Sequence, residues 1–293
     1  RLKENKFDYM ITNPPFGVSW KNEKRFVDDE SKDPNGRFFV GTPRTSDGSL
    51  LFLQHLIHKM NPKGSRIGIV FNGSPLFSGD AGSGESEIRK WIIENDWLEC
   101  IVQLPDQMFF NTDITTYFWI VTNKKTDNRK GKVQLINGSA FYENMRKPLG
   151  DKRKIMQDKH HKILFDAYMK FEDTNICQIK NNEFFGYNKI TIEQPLYENQ
   201  EILKNKNGEK KSDPSKREYE KIPLNYDIEK YFEKEVKKYI PDSWMDREKD
   251  KKGYEINFSK YFYEFKEMRS IEEINSEIKD IDNQIIEISK DLI

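Results

Sequence analysis

The sequence predicts an α/β fold, in which a mostly parallel sheet is covered by helices on both faces. In the first half of the chain, apolar segments of strand length alternate with amphipathic segments of helix length, and polar turns separate them. This alternation is typical of βαβ units, whose crossover helices cover both faces of a parallel sheet. The predicted elements are strands at 7–12, 66–72, 98–104, 115–123 and 132–137, and helices at 49–60 and 85–95.

The first strand ends in a stiff polar turn. The apolar run at 7–12 leads directly into Asn13-Pro14-Pro15-Phe16. Each proline fixes its own φ, lacks a backbone donor and pushes the residue before it into an extended conformation. In an open α/β sheet, ligands bind beyond the carboxyl ends of the strands, which is where this turn falls. The Asn13 side-chain oxygen and the Pro14 carbonyl are candidate acceptors for an amino group, and Phe16 is a candidate stacking partner for a base.

These groups suit methyl transfer to an amine. Adenine N6 is a poor nucleophile, because its lone pair is delocalised into the ring. Acceptors aimed at its two hydrogens stabilise the nitrogen as it gains positive charge, which favours the transition state over the ground state. Since N6 cannot be reached inside a duplex, the target nucleotide would be flipped into the site. An Asn-Pro-Pro turn is also common chain punctuation, and by itself it permits an RNA base or a protein glutamine as substrate.

A long polar stretch without a clear hydrophobic period follows the turn and runs to Gly48. Its basic residues are Lys21, Lys24, Arg25, Lys32, Arg37 and Arg44. Loops of this length are often functional lids or partly disordered segments. Two interpretations stay open: a DNA-contacting lid beside the flipped base, or a mobile solvated loop.

Composition favours an intracellular, cytoplasmic protein. Its two cysteines, Cys100 and Cys177, lie in apolar surroundings without metal-ligand spacing, so they are interpreted as reduced core thiols. No apolar run approaches the roughly 18 residues of a membrane span, so no membrane partner is expected. The formal net charge is zero, with 49 basic and 49 acidic residues. Because proteins that bind DNA alone usually carry a basic excess, DNA binding with the help of a partner is expected.

Past residue 150 the pattern changes. Residues 151–268 are predicted to form a mixed, mostly helical region. Near 199–220, Lys and Glu dominate and no apolar period survives, so an exposed or mobile segment is expected there. The pair His160-His161 has no companion at metal-ligand spacing, which favours a surface location, and no metal site is predicted.

The strongest periodicity lies at 269–293. Apolar residues recur at alternating spacings of three and four, which predicts a helix with a coiled-coil seam. The seam consists of Ile271, Ile274, Ile278, Ile281, Ile285, Ile288 and Leu292. Ser270 and Glu273 make a capping box at the start of this helix. The seam is expected to dock against partner helices; the alternative is a helix folded back on its own domain.

Several segments carry a resemblance to a known family. They are Phe52-Leu53-Gln54-His55, Ile67-Gly68-Ile69-Val70, Glu87-Ile88-Arg89-Lys90, the stretch from Leu104-Pro105 to Met108–Ile114, Lys252–Phe258 and Tyr261-Phe262-Tyr263. Together with the Asn-Pro-Pro-Phe turn, they resemble the modification (M) subunit of type I restriction-modification systems. Two positions depart from the family pattern, since Phe110 stands where the family usually has Tyr and Asp113 where it has Gly.

The resemblance implies the second half of a Rossmann-like methyltransferase sheet at 1–150, followed by the mostly helical region and the terminal coiled-coil-like helix. It also implies S-adenosylmethionine as cofactor, bound mainly by a glycine-rich loop that precedes the turn. Only twelve residues precede the turn here, so the chain is expected to be the carboxyl-terminal part of a longer protein, inactive alone. Asn13 is the one cofactor contact expected in it, and Gly82-Ser83-Gly84 is not expected to replace the loop.

The implied reaction is methyl transfer to adenine N6 in DNA. In it, Asn13 and Pro14 hold the amine, Pro15 stiffens the turn, and Phe16 and Phe110 enclose the flipped base. The implied partners are DNA, a specificity (S) subunit bound through the terminal helix, a second M subunit and a restriction (R) subunit. The alternative is a non-catalytic assembly module.

Overall fold

A computed structural model describes residues 5–110, 112–199, 201–263 and 269–290. The chain divides into two compact units, Arg1–Phe258 and Ser259–Ile293. Within the described ranges, no helix has the length and apolar character needed to cross a membrane.

The strands, in chain order, are β1 (Tyr9–Thr12), β2 (Arg66–Phe71), β3 (Leu98–Gln103), β4 (Tyr117–Thr122), β5 (Lys132–Asn137), β6 (Glu143–Leu149), β7 (Lys152–Ile155), β8 (Cys177–Asn181), β9 (Gly186–Glu193), β10 (Tyr197–Glu198), β11 (Glu201–Ile202), β12 (Glu218–Pro223), β13 (Trp244–Met245) and β14 (Lys251–Tyr254). The helices are α1 (Lys24–Ser31), α2 (Ser49–His58), α3 (Ser74–Phe77), α4 (Gly84–Glu94), α5 (Asp158–Lys170), α6 (Ile228–Tyr231), α7 (Phe258–Tyr261) and α8 (Ile271–Lys290).

The main sheet has six strands in the order β1-β2-β4-β3-β5-β8. Strand β1 pairs with β2 in parallel, and β3 pairs with β5 in parallel. Strand β4 lies antiparallel between β2 and β3, and β8 closes the sheet antiparallel to β5. Four strands therefore run in one direction, but the sheet is mixed rather than mostly parallel, because β4 separates two of them.

The centre of this sheet is buried on both faces. In β3, five consecutive residues are buried, and side chains alternate between the faces of a strand. Cys100 and Val102 pack with Ile136, Cys177 and the α5 residue Leu164 in one apolar cluster. Both cysteines are free thiols in this core, as the sequence predicts. Strand β1 is an edge strand, and its side chains are exposed or half-buried.

The region after residue 150 is not mostly helical, and the main sheet does not end there. Strand β8 joins the main sheet, so the boundary predicted at residue 150 falls inside one compact unit. A second sheet is centred on β9, which pairs antiparallel with β12, β13 and β14. Ile190 and Ile192 of β9 pack with Ile222 and Phe232 in its core. Charged and polar residues between the isoleucines of these strands hide the two-residue period in the sequence.

Two details of this region differ from expectation. The described part of 199–220 is largely exposed, but it has local structure: β11 pairs with β10, and Lys211 N donates to the Leu203 carbonyl at 2.8 Å. His160 is buried rather than at the surface, because its Nδ1 accepts from the Gln157 backbone N at 3.1 Å in a capping box at the start of α5.

In the second compact unit, α8 is the predicted helix. The Glu273 carboxylate accepts from the Ser270 backbone N at 3.0 Å, and the Ser270 hydroxyl accepts from the Glu273 N at 3.2 Å. The capping box is therefore confirmed. The described isoleucines of the seam are 38–73% exposed, and Leu292 lies outside the described residues.

A buried arginine joins the main sheet's helices to the second sheet. Arg89 of α4 is 1% exposed, and burial lowers its pKa to about 10, so it stays charged at neutral pH. Its guanidinium donates to the carbonyls of Tyr254 at 2.6 Å, Ser78 at 2.7 Å, Gly79 at 3.1 Å and Pro75 at 3.2 Å. Four carbonyls thus depend on one side chain. Because Tyr254 belongs to β14, this side chain links α4 to the second sheet.

Replacing Arg89 with Met should destabilise this unit strongly. The change leaves four acceptors without their donor, and the expected loss in the free energy of unfolding is about 3 kcal/mol or more. Urea denaturation would measure it. Arg89→Lys should recover part of the loss, and Arg25→Met, at an exposed position, should change stability by less than about 0.5 kcal/mol. Equal stability of the two Met variants would contradict this role.

Candidate active site

The Asn-Pro-Pro-Phe turn lies at the carboxyl edge of the main sheet. Thr12, the last residue of β1, pairs with Ile69 of β2, so the turn begins beside the carboxyl end of β2. Strands β3 and β5 run in the same direction, and the segments after them start at the same edge. The structure therefore places the turn where α/β sheets bind their ligands.

The polar groups of the turn are free of internal partners. Asn13 is exposed, Pro14 is buried and Pro15 is exposed. In the part of the chain that the structure describes, neither the Asn13 side chain nor the Pro14 carbonyl forms a hydrogen bond. Gly17 follows with φ of +61°, a conformation that suits glycine and turns the chain away from the strand. The turn thus presents two unused acceptors in sequence.

Phe16 contacts a phenylalanine that the sequence analysis did not select. Its half-buried ring meets the ring of Phe109 edge-on, with centroids 6.2 Å apart. Phe110 is 56% exposed, and the ammonium of Lys152 lies 5.1 Å from its ring centroid. Both phenylalanines belong to the family segment, but consecutive side chains point to different sides. The structure assigns the ring contact with Phe16 to Phe109.

The segment that carries these phenylalanines is held by backbone hydrogen bonds. Leu104 N donates to the Thr116 carbonyl at 2.9 Å, and the Gln107 carbonyl accepts from the backbone N of Arg153 at 3.0 Å and of Lys154 at 3.2 Å. Gln107 itself has φ of +55°, which is uncommon for a residue other than glycine. Strand β7 therefore fixes the strained loop that presents Phe109 and Phe110. Phe110 and Asp113, the two residues that depart from the family pattern, are both exposed.

The polar stretch after the turn has its own small core. Helix α1 lies within it, and Trp20, Val27 and Phe38 pack with Leu51 of α2. The Trp20 backbone N donates to the Thr45 carbonyl at 3.0 Å, which closes the segment on itself. The stretch up to Gly48 is therefore packed, and its interpretation as a solvated loop is wrong.

Most basic residues of this stretch have partners. Lys24 pairs with Asp28, Lys32 with Asp29 and Arg37 with Glu30. Arg44 donates to the hydroxyls of Ser74 at 2.8 Å and Ser78 at 3.3 Å. Among described residues, Lys21, Arg25 and Arg44 are the exposed cations of this stretch without an ion pair. The DNA-contacting lid stays a prediction.

Arg37 also ties this stretch to α2. Its Nε donates to one Glu30 oxygen at 2.6 Å, its Nη2 donates to the other, and its Nη1 lies 3.2 Å from Nδ1 of His55. Because a guanidinium can only donate, the Nδ1 atom must accept, which requires a neutral imidazole. Burial, and then the charges of Arg37, Lys59 and His58, lower the pKa of His55, while Glu30 opposes them.

Comparison with known proteins assigns the chain to a family. The profile of the N-6 DNA Methylase family matches residues 1–204. The chain belongs to this family. It is 30% identical over 197 residues to the methylase subunit of the type I restriction enzyme MjaIX from Methanocaldococcus jannaschii, covering 67% of this chain and 34% of that protein. It is 31% identical over 191 residues to the methylase subunit of the type I restriction enzyme HindI from Haemophilus influenzae, covering 62% and 40%.

A solved structure of this family shares the fold. The type I restriction-modification system methyltransferase subunit from Streptococcus thermophilus superposes with a TM-score of 0.52 and 26% identity, over 62% of this chain and 35% of that chain. The present chain thus spans 34–40% of the length of the relatives named above. The resemblance stated from the sequence motifs is confirmed at the level of the family.

The lowered pKa of His55 predicts a loss of stability in mild acid. A folded-state pKa below the unfolded value gives a contribution that is complete above the unfolded pKa, about 6.5, and is lost as the pH falls through the folded pKa. The free energy of unfolding should therefore begin to fall at about pH 7.5 and continue to fall as the pH drops below about 6.5. His55→Gln, which cannot titrate, should reduce this fall, whereas His161→Gln, at an exposed position, should not. If the free energy of unfolding of the wild type, His55→Gln and His161→Gln depends on pH in the same way, the contribution of His55 is disproved. Burial, and then the charge of Lys6, also lower the pKa of His58, so this residue contributes to the same fall.

Proposed function

We propose that this chain forms part of a DNA adenine-N6 methyltransferase, the M subunit of a type I restriction-modification complex, which uses S-adenosylmethionine. The observation that carries the proposal is the free Asn13 amide at the carboxyl edge of the sheet, next to the Phe16 ring. The family and its restriction-enzyme relatives support it.

In this proposal the turn supplies the acceptors for the reacting amine. The Asn13 Oδ1 atom and the Pro14 carbonyl hold the two hydrogens of N6. As the methyl group would pass from the cofactor sulfur to N6, positive charge would grow on the nitrogen, and the fixed acceptors would bind its hydrogens more strongly than in the ground state. Pro15 keeps the geometry stiff, because its φ is fixed. The two acceptors need no rearrangement, since no internal hydrogen bond must break first.

Aromatic rings hold the flipped base. The face of Phe16 stacks on adenine, and the edge-on contact with Phe109 orients the Phe16 ring. Phe110, exposed in the described structure, closes the other side of the base. A stacked base gains about 1–3 kcal/mol per aromatic side chain, which offsets part of the cost of unstacking it from the duplex.

Residues 1–12, the segment before the turn, would not hold most of the cofactor. Residues 1–12 contain no glycine, so they do not supply the glycine-rich loop of the family. Asn13 is the residue here that would contact the cofactor. S-adenosylmethionine, when bound, supplies the methyl group, and this chain orients the amine that receives it.

Replacing Asn13 with Ala should reduce turnover rather than binding. The expected fall in kcat is about 10²-fold or more, because one preorganised acceptor is lost. The measurement is transfer of labelled methyl groups to duplex DNA by the full-length protein assembled with its partner. Asn207→Ala, at an exposed position outside this edge, is the control and should retain most of the activity. A small effect on kcat with a raised KM for DNA would instead make Asn13 a simple binding residue.

The terminal helix is proposed to bind the S subunit. The six described isoleucines of the seam are exposed on α8, and a seam this apolar is expected to be covered. A second M subunit and an R subunit would join the same complex.

Changing both Ile278 and Ile285 to Asp should abolish co-purification with the S subunit, because two charges would enter the packed seam. The matched control adds the same charges on the polar face of α8, as Ser276→Asp with Asn283→Asp, and should leave co-purification intact. Retention of the partner by the seam variant would reject this assignment, while loss in both variants would indicate an effect of charge alone.

A non-catalytic assembly module remains the competing function. It predicts an assembled complex in which wild-type protein and the Asn13→Ala variant are equally inactive on DNA.

A further inference from the structure

A basic hairpin stands beside the candidate site. Strands β6 and β7 pair with each other and form a sheet of their own. Residues 143–155 contain five basic and two acidic side chains, in a chain whose formal net charge is zero. The basic ones are Arg146, Lys147, Lys152, Arg153 and Lys154. The hairpin is therefore a local excess of positive charge.

Three of these cations are available to a ligand. Arg146, Lys147 and Arg153 are exposed, and none of them forms an ion pair with another described residue. Lys154 is already paired with Asp106. Lys152 is half-buried over the ring of Phe110. In contrast, the predicted lid at 17–48 has six acidic residues against its six basic ones, and three of those basic residues form ion pairs within it.

Backbone contacts fix the hairpin to the segment that presents the aromatic rings. The Asp151 backbone N donates to the Phe110 carbonyl at 3.1 Å. Gly150 has φ of +61°, and a Cβ atom there would lie 2.7 Å from the same carbonyl. A glycine is required at this point, because only a residue without a side chain allows the hairpin turn to approach Phe110 so closely. The hairpin turn is thus held against the segment that carries Phe109 and Phe110.

We propose that the β6–β7 hairpin binds the phosphate backbone of DNA next to the flipped adenine. This proposal rests on the proposed function, since it names the DNA surface of that site. A nucleotide turned out of the helix keeps its flanking phosphates close to the base pocket. Arginine and lysine side chains on a firmly held hairpin can neutralise them without reading the base sequence. The hairpin, and not the lid, then supplies the main electrostatic contact of this chain with DNA.

The test removes the three available cations in the assembled enzyme. Arg146→Ala, Lys147→Ala and Arg153→Ala are combined, and the Kd for duplex DNA is measured over a range of salt concentrations. Each lost phosphate contact should reduce the slope of log K against log salt by about 0.9, so a reduction of about 2 to 3 is expected. Affinity at moderate salt should fall about tenfold or more.

The matched control removes three exposed lysines elsewhere, Lys204, Lys206 and Lys211, which changes the net charge equally. It should keep the affinity and the salt slope of the wild type. Equal effects of both triple variants would overturn the proposal, because bulk charge would then explain binding. Arg146→Lys with Arg153→Lys should preserve the slope if charge is what the phosphates require.

Other outcomes separate this proposal from the function on which it rests. If the wild-type complex methylates DNA and the hairpin variant binds DNA as the wild type does, the hairpin proposal is overturned. The proposed function is not. A variant that loses the specificity partner while the wild type retains it identifies a protein-docking surface and also overturns it. A wild-type complex without methylation of DNA contradicts the proposed function instead. Unchanged thermal unfolding of both triple variants shows that these differences do not come from misfolding.

Discussion

The parallel pairing of β1 with β2 is the constraint on which the candidate site depends. Tyr9 to Thr12 align with Arg66 to Ile69, and this register carries the chain to the carboxyl edge before the prolines begin. A strand shifted by one residue would exchange its two faces. The stiff turn then starts at a fixed point on the carboxyl edge of the sheet, and Asn13 is exposed there. Everything proposed for the reacting amine follows from this placement.

Much of the main sheet could be predicted because its signals are local. The run at 132–137 is β5 with the same bounds, and the other predicted strands and the helices α2 and α4 differ from the structure by a few residues at their ends. The antiparallel position of β4 could not be predicted in this way, since hydrophobic periodicity reports burial but not direction. The sheet around β9 was missed for a different reason. Its strands intersperse Lys, Asn and Glu with the core isoleucines, and this composition masks an alternating pattern.

In the candidate site too, local sequence predicts some features, and others depend on the folded chain. Asn13, Pro14, Pro15 and Phe16 are adjacent in sequence, so their chemistry can be read from a motif. The contact between Phe16 and Phe109 joins residues more than ninety positions apart, and the motif cannot distinguish Phe109 from Phe110. The same distinction applies to the charged residues. A list of basic residues suggested a DNA-binding lid, but only the folded chain shows that Arg37 is held by Glu30 and that Arg146 is not held by a carboxylate among the described residues.

The central claim is that the turn serves methylation of adenine in DNA, and the identity of the product tests it most directly. The measurement is mass spectrometry of nucleosides from a host without adenine methylation that expresses the full reading frame together with its specificity partner. The account predicts N6-methyladenine in the DNA of cells with the wild-type protein, and its absence with Asn13→Ala. Unmodified DNA in both, or a methyl group found instead on RNA or on a protein glutamine, would contradict it.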